Sequence, residues 1–77
     1  MKHITPAPST VSRIYYELGD TKDLEEGFVK KGNILGQKVE KSESGEFYSP
    51  MTFEYTANVV REDDKLKWDI IEVKPLN

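Results

Sequence analysis

The chain contains no cysteine, one histidine, one tryptophan and no long apolar run, and each scarcity closes off a class of function. Without thiols there is no disulfide, no thiolate metal site and no cysteine nucleophile, which agrees with a reducing compartment. The single histidine, His3, excludes any two-histidine metal site within one chain. It sits near Pro6 and Pro8 in a segment where nothing fixes an imidazole, so it reads as a surface residue rather than a general base. No run approaches the roughly 20 apolar residues that a membrane helix needs, and the amino terminus lacks the apolar stretch of a signal peptide. A cytoplasmic protein with no membrane partner is expected.

Motifs for cofactors and metals are equally scarce. Gly27, Gly32, Gly36 and Gly45 are too far apart for a phosphate loop or a dinucleotide fingerprint, and read as turns and bulges. Asp20-Thr21-Lys22-Asp23 offers oxygens but lacks the fixed offsets and terminal bidentate acid of a calcium loop. Ser42, Ser44 and Ser49 have no base to activate them. No cofactor and no enzymatic activity are expected, so a binding role follows by elimination.

What remains is a small, mildly acidic chain. Its 77 residues make one domain, of a size that buries only roughly 60% of its unfolded surface. A partner, or a second copy forming a homodimer, is therefore a natural stabiliser. The net charge of −3 with 32% charged residues is ordinary for a globular chain and argues against a phosphate-binding protein. Acids gather at Asp20, Asp23, Glu25 and Glu26, and again at Glu62, Asp63 and Asp64; the densest bases are Lys30, Lys31, Lys38 and Lys41.

Periodicity gives the architecture. Met51, Phe53, Tyr55, Ala57 and Val59 alternate with Thr52, Glu54, Thr56 and Asn58, the signature of a strand buried on one face. The charged stretch Arg61–Lys65 is a hairpin loop, after which Leu66, Trp68 and Ile70 form a second strand with Trp68 inward. At Ile70-Ile71 the phase slips, so this strand either carries a bulge or is covered on both sides, and Pro75 ends it. Ile34 to Lys41 is a shorter strand, with Leu35 and Val39 on one face. Residues 42–46 form a turn, and Phe47-Tyr48 begins an extended segment that Pro50 interrupts. Thr10 to Leu18 is a further strand candidate, with Ser12, Ile14, Tyr16 and Leu18 on the apolar side and Tyr15 on the wet one.

Residues 20–33 favour a short helix. Asp20 or Thr21 would cap it, Asp23 suits its dipole, Leu24 and Phe28 lie four apart, and Gly32-Asn33 would stop it. Gly27 in its middle counts against it, and the rival is a strand from Phe28 to Lys31 that turns through Gly32-Asn33 into Ile34. The fold expected is α+β: a mainly antiparallel four-stranded sheet with one short helix, formed by residues 10–77 behind a flexible, proline-containing arm at 1–9. The alternative is a small all-β barrel of the SH3 or OB kind.

The function expected is that of a non-enzymatic module binding another protein. It would be an inhibitor, adaptor or accessory factor, of a phage or mobile element on grounds of size alone. Acidic loops or a sheet edge would make the contact, with Tyr15, Asp20, Asp23, Tyr48, Glu62, Asp63 and Asp64 as partner-binding residues. If acids occupied a site meant for DNA, the mechanism would be charge mimicry. The disfavoured alternative is a barrel that binds single-stranded nucleic acid through Lys30, Lys31, Lys38, Lys41 and Tyr48.

Overall fold

The structure is a computed structural model and describes residues 4–76; His3 lies outside that range. Its elements are β1 (Thr5–Pro6), α1 (Pro8–Leu18), β2 (Val29–Ser42), β3 (Gly45–Glu62) and β4 (Lys65–Pro75). The strands make one antiparallel sheet in the order β1-β2-β3-β4. The α+β class with a four-stranded sheet and one short helix is therefore what the chain adopts.

The helix is displaced from where the sequence pattern puts it. Thr10 to Leu18 is α-helical, not extended. Thr10, Ile14 and Leu18 are buried, and a spacing of four fits both the strand period of two and the helix period of 3.6. Tyr16 separates the two: a strand would turn it inward, yet it is 89% exposed. Pro8 occupies the first turn, where its missing N–H costs nothing, and Gly19 follows the last turn with φ 74°. Residues 4–9, read from sequence as an arm, supply β1 and the start of α1, and Ala7 is buried.

Residues 20–28 are not helical. Asp20 does accept the Lys22 N–H at 3.2 Å, as a cap would, but the chain then makes turns closed by Leu24 N–H to the Thr21 carbonyl and Phe28 N–H to the Glu25 carbonyl. Gly27, with φ 91°, adopts a backbone that a helix interior does not allow. The rival expectation also fails in part, because β2 runs straight through Gly32-Asn33 without turning.

The core lies between α1 and one face of the sheet. Ile14 and Leu18 of the helix meet Ile34 of β2, Phe53, Tyr55, Ala57 and Val59 of β3, and Trp68 of β4. Phe53, Tyr55 and Trp68 point inward as their alternation requires, at 0%, 3% and 7% exposure. Each such side chain contributes on the order of 1.5–3 kcal/mol by burial. The helix can approach because β2 has no side chain at Gly36; a Cβ there would collide with Thr10. Likewise a Cβ at Gly32 would stand 2.6 Å from the Tyr55 hydroxyl, so the tyrosine ring lies over bare backbone. Leu35 and Val39 do share a face, but it is the opposite, uncovered one, and Leu35 is 62% exposed.

The phase slip in β4 is a bulge. Thr56 pairs with Glu72 and Ala57 with Ile70, leaving Ile71 unpaired and exposed. Pro50 does not interrupt β3, which passes through it unbroken. Its partner Gln37 turns both backbone groups away from β3, its N–H to Thr10 Oγ1 at 2.9 Å and its carbonyl toward the Ala7 N–H at 2.8 Å. In an antiparallel ladder the opposite residue then also faces away. β4 reaches only Phe53, so the donor that proline lacks falls on an open edge. The β2–β3 hairpin thus projects past both neighbours. The radius of gyration, 14.3 Å, exceeds the about 11.5 Å typical of a compact chain this long.

Candidate functional site

The two acidic segments, far apart in sequence, meet at one end of the sheet. The loop 20–28 crosses the core-side end of the β3–β4 hairpin and is tied to it by four bonds. The Thr21 hydroxyl donates to the Leu66 carbonyl at 2.9 Å. Gly27 N–H donates to the Val59 carbonyl at 2.8 Å, and Val59 N–H to the Phe28 carbonyl at 2.9 Å. Arg61 Nε pairs with Glu26 at 3.1 Å. Leu24 packs on the core from above, and the Phe28 ring stands edge-on to Trp68, centroids 6.1 Å apart. Apolar anchoring of the loop therefore fixes the position of its exposed acids.

Asp20, Asp23 and Glu25 lie on this loop, and Glu62, Asp63 and Asp64 on the hairpin tip that follows the tied residues; all are exposed. The tip is a two-residue turn with positive φ at Asp63 (52°) and Asp64 (63°), the geometry whose twist matches antiparallel strands. Lys67 hydrogen-bonds Glu62 beside it. That bond is the main reason the Lys67 ammonium is held above its ordinary range; burial, the next influence, opposes it, and the charges of Glu62 and Asp69 add to it. Tyr15 lies on α1. It is 44% exposed, Phe28 is 45% exposed, and Tyr16 projects from α1 almost wholly into solvent. The strand pattern gave Tyr15 the wet face, and it is exposed; it gave Tyr16 the apolar face, and the helix turns Tyr16 outward as well.

Tyr48 stands apart. It pairs with Val39 on the projecting hairpin and donates its hydroxyl to Glu46 at 3.1 Å. The Glu46 hydrogen bond and charge raise its pKa, with a minor contribution from burial. It lines a groove of ≈ 640 Å³ with Thr5, Pro6, Pro8, Val39 and Lys41.

The lysines of the nucleic-acid alternative are dispersed. Lys30 and Lys31 open β2 while Lys41 ends it, about 33 Å from Lys31 at ~3.3 Å per strand residue. Strand alternation sends Lys30 and Lys38 to the helix side and Lys31 and Lys41 to the other, and Lys38 is paired with Glu40 at 2.7 Å. Among the described residues no cluster of three or more acid or histidine side chains is arranged to hold a metal ion, and no helix is long and apolar enough to cross a membrane.

Phe28 and Tyr16 were missed as surface groups by sequence reasoning. A helical period across Thr10–Leu18 would have turned Tyr16 outward. The approach of the two acidic segments had no local signal, because it depends on where β2 returns the chain. No protein-family model matches this chain, and no curated protein or solved structure shows significant similarity to it.

Proposed function

We propose that the protein is a non-enzymatic binding module whose acidic and aromatic pole engages a basic surface on another protein. The observation that supports this is the tying of loop 20–28 to the β3–β4 hairpin, which brings the exposed acids of the two segments to one end of the sheet beside the part-exposed Phe28 ring. Clustered acids accelerate encounter with a basic partner and fix its orientation. Aromatic rings supply rigid contact area that loses little entropy on binding. If the basic surface is one that meets nucleic acid, the module acts as an inhibitor, of the kind a phage or mobile element would encode. Nothing in the arrangement of the lysines favours the nucleic-acid reading.

The test is capture of partners from cell extract on immobilised protein, comparing the wild type with the E62K/D63K/D64K triple variant. Proteins held by the wild type should elute at moderate salt and should be absent from the variant. Retention of the same proteins by both would overturn the proposal. Circular dichroism of the variant guards against loss of the fold.

A further inference from the structure

The outer edge of β2 carries a second surface, which begins where the acidic loop ends at Phe28. β1 covers only Val39 and Lys38 of that edge. The start of α1 covers Gln37 through Thr10 and Ala7, and Arg13 caps the Leu35 carbonyl at 2.8 Å. Backbone direction alternates along a strand, so the outward residues are those in phase with Gln37 and Leu35: Asn33, Lys31 and Val29. Each turns an N–H and a C=O into solvent with no partner among the described residues. No bulge, proline or loop blunts this stretch, whereas the outer edge of β4 has the Ile71 bulge and ends in Pro75.

Charge selects the occupant. Lys30 and Lys31 are exposed and make no ion pair among the described residues, and the residues opposite Val29, Lys30 and Lys31 on β3 are the uncharged Asn58, Ala57 and Thr56. Arg13, exposed at the upper end, adds a third cation. A second copy pairing here about Lys31 would set Lys31 against Lys31, an unfavourable cross-strand pair.

We propose that the β2 edge at Val29–Asn33 accepts an extended acidic segment of another protein as an added antiparallel strand. Main-chain bonds to Val29, Lys31 and Asn33 hold the segment, and acids opposite Lys31 and Lys30 select it. A β-branched residue opposite Val29, itself 53% exposed, completes the contact.

The probe is a capped peptide Thr-Val-Thr-Val-Glu-Glu-Val, titrated to millimolar concentration and followed by amide NMR, beside a counterpart with both Glu replaced by Lys. The acidic peptide should shift the amides of Val29, Lys31 and Asn33 and slow their exchange. The lysine peptide should bind about tenfold more weakly, because two opposite-charge cross-strand pairs become like-charge pairs. The K31E variant, an exposed substitution, should narrow or invert that preference. Equal binding of both peptides overturns the proposal, as do shifts confined to the Tyr48–Pro50 edge or to the acidic pole. So does a homodimer, detected by sedimentation without peptide, in which these amides are already protected.

Discussion

Replacing Gly36 by alanine should destabilise the fold, and most of the effect should be relieved when Thr10 is also cut back. Gly36 has an ordinary backbone conformation, so by unfolded-state entropy alone Gly→Ala would stabilise by about 0.4–1 kcal/mol. The structure reverses that sign. A Cβ at position 36 meets the Thr10 methyl and hydroxyl, and Thr10 is 1% exposed with no room to retreat. Overpacking of this kind costs about 1–3 kcal/mol. Displacing Thr10 also weakens the bond from Gln37 N–H to Thr10 Oγ1 at 2.9 Å. A net loss of about 1–2 kcal/mol is expected for G36A. T10A alone should cost about 1–2 kcal/mol, because the part-buried Gln37 N–H loses its acceptor. T10A removes the two closest atoms, the methyl and the hydroxyl, and leaves its Cβ 3.0 Å from the new one, so the G36A penalty should shrink to less than half in the T10A background, a coupling of about 1 kcal/mol between the sites. Equilibrium urea unfolding followed by Trp68 fluorescence supplies the three values. Additivity of the two substitutions, or stabilisation by G36A, would refute the contact between α1 and β2.

The hairpin tip can be improved: D64G relieves a left-handed aspartate and should raise stability by about 0.5–1 kcal/mol in the same unfolding assay. Tyr55 is held above its ordinary pKa of 10.0 by burial first and the Glu17 charge second. Its folded pKa is raised, so its contribution is intact below the ordinary phenol range and lost as pH climbs through the raised value. Y55F should flatten the fall in melting temperature above about pH 10; an unchanged fall would contradict this. The Tyr48 phenol should titrate late by absorbance difference between wild type and Y48F, and E46Q should bring it back toward the usual range, because the Glu46 hydrogen bond and charge are its main causes.

Parts of the fold legible in the sequence were those where one physical signal had no competitor. β3 buries a single face along its second half, so strict alternation identified Phe53, Tyr55 and Val59 as core. The slip at Ile70-Ile71 betrayed the bulge because a pleat cannot change phase without one. Elsewhere two explanations fitted the same residues. Thr10, Ile14 and Leu18 satisfy strand and helix periods alike. Asp20 makes the local bond of a helix cap, yet Gly27 and the demand of Leu24 and Phe28 for the core turn the chain another way. Pro50 reads as a break only while β3 is imagined with neighbours on both sides. The acidic pole was legible residue by residue, from Asp20 and Asp23 to Glu62, Asp63 and Asp64, but not as one surface. Its assembly depends on the bond from Thr21 to the Leu66 carbonyl, a contact of long sequence separation.

Amide hydrogen exchange of the free protein, read residue by residue by NMR, tests most directly the strand register from which both surfaces are built. Lys30, Gly32 and Ile34 donate into the β2–β3 ladder and should exchange slowly, while Val29, Lys31 and Asn33 face outward and should exchange fast. Gln37, held by Thr10, should return to slow exchange. Uniform protection from Val29 to Asn33, or a reversed alternation, would contradict the register and with it the open edge and the placement of the helix beside it.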